Sequence, residues 1–301
     1  MSPDHHALIF ATDGELVEGT QDLIENGLLR GDPVLVLGDV HELGVLRDAW
    51  GGDPRIRFAE TAGFYRRPME TIAELQRLLD HEGTLGHQVR VTGPVPFGDD
   101  PPTRRGWMMY EALVDRAFAP YGLVSLCQYD TRVMGDDLVD HARATHDWIV
   151  TSAGVEVGGL RRAEVLARLA AHEEPDPLEG EPAVYEDMLT TTGDLARLRA
   201  GLLPAPQEFV IAVNEVMTNA LQYGGPPITV RLHHEAGRWL CVVTDHGPGL
   251  RDPNAGVDSP LPGNPQAAGH GLWLARQLCD ELTITCRPDR AGTTVRLSRR
   301  A

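Results

Sequence analysis

Lysine is missing from this chain: all 27 basic residues among its 301 are arginine. A Walker-type phosphate loop needs a lysine on the β- and γ-phosphates. The protein-kinase fold needs one on its third strand, and Schiff-base catalysis needs a lysine amine. None of these chemistries can be built here. The bias toward arginine is what a GC-rich genome produces. Cysteine is scarce as well. Cys127, Cys241, Cys279 and Cys286 form no CxxC pair and no disulfide-framework spacing, which points to a reducing compartment. No apolar run approaches the length of a membrane span. The start, Met1-Ser2-Pro3-Asp4-His5-His6, lacks the basic and apolar segments of a secretory leader. A cytoplasmic location is the expectation. Clustered cations are also absent, for the net charge is -17. Phosphate backbones and anionic membranes therefore make poor partners.

What is present is the composition of a globular protein, 42% hydrophobic and 24% charged, with length for two domains. The first half alternates apolar strands with helices, as in Ala7–Phe10, Val34–Leu37, Val89–Thr92 and Leu123–Gln128. Between them, Glu15–Leu29, Met69–His81, Arg105–Ala117 and Asp136–Thr145 read as helices. Ile72, Leu75, Leu78 and Leu79 show the helical spacing. This pattern predicts a parallel sheet with flanking helices, whose sites lie at the carboxyl ends of strands. A stretch rich in Pro, Glu and Gly, Glu173 to Pro182, reads as a linker. After it come helices at Asp194–Leu203, Gln207–Tyr223 and Gly271–Cys279. Strands are expected at Ile228–His233, Trp239–Thr244, Leu282–Cys286 and Thr293–Leu297. Helices on one side of a mixed sheet make an α+β sandwich.

Three segments of this second half carry chemistry. In Asn214-Glu215-Val216-Met217-Thr218-Asn219-Ala220, Glu215 and Asn219 share one helix face. A carboxylate beside an amide suits phosphoryl transfer: the amide oxygen is a Mg²⁺ ligand and the carboxylate a proton acceptor. In Asp245-His246-Gly247-Pro248-Gly249, an acid at a strand end can accept from an adenine amino group. Gly247 and Gly249 allow the backbone to approach the base. In Gly269-His270-Gly271-Leu272, backbone N–H groups at a helix start can hold phosphate. Thr293, after Gly292, places a hydroxyl near the same site. Each segment alone has an ordinary explanation as a solvated stripe, a β-turn or glycines before a helix.

In this order and spacing, together with Gly292-Thr293-Thr294-Val295, the set resembles the GHKL ATPases, the superfamily of gyrase, MutL and the histidine kinases. The resemblance covers roughly residues 181–301 and implies the Bergerat sandwich binding ATP and Mg²⁺. Within the superfamily, the chain most resembles anti-sigma-factor serine/threonine kinases of the RsbW/SpoIIAB type. The short leading helix from Gly193 to Arg199 fits them. Histidine kinases typically carry Asn at the position of Glu215 and need a helical hairpin bearing a phosphoacceptor histidine. Here only His172 lies nearby, at a helix end. The resemblance implies that Glu215 is the general base acting on a partner's Ser or Thr, and that Asn219 holds Mg²⁺. Asp245, Gly247, Gly249 and Thr293 then form the adenine site. Gly269, His270, Gly271 and Leu272 form the phosphate turn, and Arg251 to Ala268 the lid. The implied partners are a STAS-type anti-sigma antagonist and a sigma factor. Two departures stand out. Tyr223 replaces a frequent histidine, a change read as one of packing. Asp252 to Gly269 contains no Arg or Lys, so turnover could be slow or lost unless Arg276 substitutes. A module that binds ATP without using it is therefore the second reading.

The first half resembles the MEDS sensory domain (DcmR type) through His5-His6-Ala7-Leu8, Gly31-Asp32-Pro33-Val34, Tyr110-Glu111, the run Ser125 to Thr131, and His141 to His146. The domains expected are 1–160 sensory, 161–182 connector helix and linker, and 183–301 ATPase. Cys127, Tyr129 and Asp130 fall at the carboxyl end of a strand, with Glu111 able to face them. A small-molecule, redox or metal signal and a plain structural role (a core thiol, a paired carboxylate) are both open. His141 and His146, five apart, do not share a helical face, so no metal site is expected there. A homodimer is compatible with such an arrangement.

Overall fold

The computed structural model describes residues 4–159, 161–170, 175–250, 252–257, 270–286 and 292–300. The chain divides into two compact units, Met1–Ala167 and Arg168–Ala301.

The first unit opens with β1 (Asp4–Phe10), α1 (Asp13–Arg30), β2 (Val34–Gly38), α2 (Val40–Trp50) and β3 (Ile56–Glu60). It continues with α3 (Thr61–Phe64), α4 (Pro68–Thr84), β4 (Val89–Pro94), α5 (Pro101–Phe118) and β5 (Leu123–Asp130). Next come α6 (Asp136–Thr145), β6 (Trp148–Thr151), β7 (Gly154–Val157) and the boundary helix α7 (Arg162–Ala170). Caps set several helix ends. The Thr12 hydroxyl accepts from the Glu15 N–H at 3.2 Å, and Gly31 closes α1 in the left-handed region at φ 74°. Asp39 and Glu42 form a capping box that starts α2.

The seven strands run β3-β2-β4-β5-β1-β6-β7. All ladders are parallel except β6–β7, a hairpin edge. β5 is the middle strand, and residues 125–130 of it are all buried. The expected parallel sheet is present; α2, β6 and β7 add to it.

The second unit contains a short 3₁₀ turn (Pro177–Gly180), β8 (Tyr185–Leu189), a second 3₁₀ turn (Thr192–Asp194), α8 (Leu195–Gly201) and α9 (Gln207–Tyr223). It ends with β9 (Ile228–Glu235), β10 (Arg238–Thr244), α10 (His270–Leu278), β11 (Glu281–Cys286) and β12 (Thr293–Arg300). The sheet order is β11-β12-β10-β9-β8. Every ladder is antiparallel, which corrects the expectation of a mixed sheet. Phe209, Ala212, Val213, Val216, Met217 and Ala220 form the buried stripe of α9. They pack with Val230, Leu232, Cys241, Val243, Val295 and Leu297 of the sheet.

The segment read as a linker is, from residue 175 onward, part of this unit. Leu178 is buried against Leu240 and Val242. Asp176 takes both terminal nitrogens of Arg238, at 2.9 and 2.6 Å, and Glu179 accepts from Arg296 at 2.6 Å. Pro, Glu and Gly content alone does not reveal such a strap, because one leucine and two ion pairs fasten it.

Candidate functional sites

In the second unit, α9, β10, α10 and β12 enclose a cavity of about 290 Å³. Val216, Ala220, Val243, Leu272, Ile284 and Val295 make its walls apolar, while Asn219, Asp245 and Thr293 supply polar groups. Asp245 stands just past β10, and its Oδ1 accepts from the Gly247 N–H at 2.7 Å. That bond fixes the carboxylate at the cavity. The Asp245 N–H in turn donates to the Thr293 carbonyl at 2.9 Å, bringing the two expected adenine-site residues together.

Glycine is required around this carboxylate. A Cβ on Gly247 would lie 2.6 Å from Gly224 Cα, and one on Gly224 would lie 2.6 Å from Asp245 Cγ. Gly292 has φ 119°, and its Cβ would meet the Asp245 carbonyl at 2.2 Å. Gly249 lines the cavity in the left-handed region at φ 83°.

Glu215 and Asn219 converge on the start of α10. A Cβ on Gly271 would sit 2.8 Å from Glu215 Oε2 and 3.5 Å from Asn219 Nδ2. The carboxylate, the amide and a helix N-terminus thus meet at one edge of the cavity. His270 opens α10 on the exposed side, and Leu272 faces the cavity. Gly269 and the lid apart from residues 252–257 lie outside the described residues, as does His172.

ATP fits this arrangement. The cavity is near the lower end of ligand-site volumes, about 300 Å³, which suits a base with its ribose. A fixed carboxylate is available for an exocyclic amine, and the phosphates would extend toward the α10 N-terminus. Mg²⁺ needs few protein ligands when phosphates supply the rest, and Asn219 offers one oxygen.

Two expectations change. Arg276 is 7% exposed, and it donates to the carbonyls of Ala255 at 2.9 Å, Leu282 at 3.0 Å and Pro253 at 3.0 Å. It ties residues 253–255 to the sheet and does not stand in for a lid cation. Tyr223 is 60% exposed at the cavity rim. It is therefore a rim residue, and the exchange is not one of packing.

In the first unit, Glu111, Cys127 and Tyr129 do meet. Glu111 Oε2 accepts from the Tyr129 hydroxyl at 3.0 Å, and Glu111 Oε1 lies 3.6 Å from the Cys127 thiol. Alternation along β5 puts Cys127 and Tyr129 on one face. Asp130 consequently points to the other, where it pairs with Arg132 at 2.8 Å, so it is not part of this cluster. Two histidines complete the group. His5 Nε2 lies 3.6 Å from both Cys127 Sγ and Glu111 Oε2, and His146 Nε2 lies 2.9 Å from Glu111 Oε2. His5, Glu111, Cys127 and His146 are all buried, with ligand atoms within 4.8 Å of one another. A small cavity of about 20 Å³ borders Glu111 and Cys127.

Burial and charge shape the titration of this group. Burial pulls His5 down, but hydrogen bonds to Asp115, Cys127 and Glu111 outweigh it and raise its pKa well above the ordinary value. His146 is lowered by burial and by the His5 charge. Burial opposes ionisation of Glu111, yet His146 and His5 hold its carboxyl below the usual range. Cys127 is pushed up to about 12 by burial and by Glu111. The sequence brought His5 and His146 forward only as marks of resemblance. Their meeting depends on β1 lying beside β5, with Ala7 paired to Cys127, and strand order is not written in local periodicity.

Comparison with known families agrees with the two halves. Residues 4–147 match the MEDS family, "MEthanogen/methylotroph, DcmR Sensory domain", and residues 182–299 match the "Histidine kinase-like ATPase domain". The chain therefore carries an N-terminal MEDS domain and a C-terminal histidine-kinase-like ATPase domain. A search of curated proteins finds no match. One similar solved structure is an ATPase from the type III secretion system of pathogenic bacteria, at 11% identity and a TM-score of 0.29. The alignment covers 73% of this chain and 75% of that one, a likeness too slight to bear on fold or activity.

Proposed function

We propose that this is a regulatory kinase of the anti-sigma-factor type. Its ATPase domain binds ATP·Mg²⁺ and phosphorylates a Ser or Thr of a STAS-type antagonist. It thereby controls a sigma factor in response to a signal read by the MEDS domain. The observation that carries this reading is the convergence of Glu215 and Asn219 on Gly271.

When bound, ATP would supply the transferable phosphoryl group and Mg²⁺ would offset its negative charge. The protein's own residues bind and orient. Asp245 and the glycines around it would hold the base, and Asn219 would provide the metal's protein oxygen. Glu215 is placed to accept the proton of the attacking hydroxyl.

A second reading, a module that binds ATP and gates protein contacts without transfer, has its own support. Among the described residues lining the cavity none is cationic, and Arg276 is committed elsewhere. Incubation with [γ-³²P]ATP and the STAS partner, found by pulldown with and without ATP, separates the readings. Labelled partner supports the kinase. ATP binding without any phosphoprotein, or undiminished transfer by Glu215→Ala, rejects it. Acid-labile phosphate on the chain itself would instead indicate a histidine kinase.

A further inference from the structure

The cluster at the centre of the first unit contains an arrangement that hydrogen bonding of a neutral His146 ring does not explain. His146 Nδ1 lies 2.9 Å from the Ala142 carbonyl. A carbonyl only accepts, so Nδ1 carries the hydrogen and Nε2 of the neutral ring presents a lone pair. That nitrogen has no hydrogen-bond partner, yet it stands 2.9 Å from a Glu111 carboxylate oxygen. Two lone-pair atoms at this distance repel unless a positive charge lies with them.

His5 is oriented in the same way. Its Nδ1 faces the Asp115 carboxylate at 3.4 Å, which directs Nε2 at Cys127 and Glu111. Asp115 is held in turn by Arg162 at 2.8 Å. A histidine whose outer nitrogen donates to a carboxylate or carbonyl, leaving the other nitrogen inward, is the usual supporting arrangement around a metal. Here it occurs twice, on two strand-and-helix elements, toward one point. Tyr129 fixes the third group, Glu111, through a hydrogen bond to its Oε2 at 3.0 Å.

We propose that His5, Glu111, Cys127 and His146 form a closed site for a zinc-class divalent cation inside the MEDS domain. His146 Nε2 stands 2.9 Å from Glu111 Oε2, and His5 Nε2 stands 3.6 Å from that same oxygen and from Cys127 Sγ, separations near tetrahedral edges. Bonds of about 2.0–2.3 Å to N, O and S ligands give edges of roughly that length. Two neutral imidazoles, one thiolate and one carboxylate also cancel the charge of a divalent ion, so the buried site is neutral overall. Mg²⁺ and Ca²⁺ are disfavoured, since they take six or more oxygens. The ligand set suits zinc, with Co²⁺ as its spectroscopic substitute. Binding displaces two protons to solvent, that of the Cys127 thiol and the second ring proton of His5, and forms one metal–sulfur, two metal–nitrogen and one metal–oxygen bond, with no change of oxidation state.

The test uses the full chain, stripped with a chelator and titrated with Co²⁺ and then Zn²⁺. The expected result is one equivalent bound with Kd below about 1 µM. It includes tetrahedral visible bands and a sulfur-to-cobalt charge-transfer band, both erased by Zn²⁺. Cys127→Ser should remove the charge-transfer band, and Asp115→Asn should weaken affinity by about 10- to 100-fold. Cys286→Ser, in the other unit, should change neither. In the wild type, where folding of a variant is not in question, Zn²⁺ should slow alkylation of Cys127, mapped by mass spectrometry, in urea near the unfolding midpoint, where the apo protein opens this buried thiol. Absence of binding at that affinity, an unchanged charge-transfer band in folded Cys127→Ser, or alkylation of Cys127 unaffected by Zn²⁺ would each overturn the proposal.

Discussion

Glu215 and Asp130 are both acids at ends or faces where a sequence reading expects chemistry, and their surroundings treat them differently. Glu215 meets Asn219 at Gly271, so Glu215→Gln should lower phosphoryl transfer by about 10²- to 10⁴-fold, the range for a lost general base. ATP affinity, followed by calorimetry, should stay near the wild-type value. Asp130 is instead joined with Asp13 to Arg132. Burial works to raise Asp130, but the Arg132 hydrogen bonds prevail and hold its carboxyl below the usual range. Asp13 is lowered first by Arg132 and then by His41. Depressed carboxylates stabilise the fold above their unfolded pKa values, and that contribution is lost as pH falls through the folded ones. Arg132→Ala should therefore destabilise the protein at about pH 7 and do so less at about pH 3, where carboxylates begin to protonate. Urea titrations at the two values give the comparison. Cys127 and Tyr129 were legible as neighbours because strand side chains alternate with period two. The same period removes Asp130, one residue along, to the opposite face.

At the scale of elements, α9 was readable because its apolar stripe follows helical spacing over 17 residues. β8 was not, since its five residues alternate weakly and its pairing with β9 is long-range. At the start of α10 a Cβ on residue 271 would crowd the Glu215 carboxylate, the movable end of a flexible side chain. Gly271→Ala should push that carboxylate aside, reducing transfer more than it reduces thermal stability. The end of α10 depends on Arg276. Replacing it with Leu leaves the Pro253, Ala255 and Leu282 carbonyls without their donor, at a cost of roughly 2 kcal/mol or more. Because Ala255 lines the cavity, ATP affinity should fall along with the urea midpoint. Arginine at this place invites a reading as a phosphate ligand. Only the tertiary contacts show each of its three nitrogens donating to a backbone carbonyl.

For the molecule as a whole, the chain reads as two units of different layer type. Among the described residues no helix is long and apolar enough to cross a membrane. The strap at 176–179 closes over the sheet of the second unit, away from any motif. Leu178→Ala should cost about 2–3 kcal/mol of that unit's stability, the range for a buried leucine truncation. A fragment beginning at 183 should melt below one beginning at 175, as seen by calorimetry. Charge at this scale is ordinary surface repulsion and solubility, and it does not locate either site.

The sequence by itself determined what is local or ordered along the chain. It set the alternation of strands and helices, the acid and amide one turn apart on α9, the glycines beside Asp245 and Thr293, and the exclusion of lysine chemistry. These follow from short-range periodicity and from the sterics of single residues, which need no partner distant in sequence. The tertiary structure alone decided which residues meet across long separations. It brought His5 and His146 to Glu111 and Cys127, joined Asp13 to Arg132, committed Arg276 to the Pro253 and Ala255 carbonyls and fastened the strap. Each of these depends on sheet order or on side chains more than fifteen residues apart in sequence. Burial there makes a charge or a lone pair choose its neighbour, and no local pattern encodes that choice.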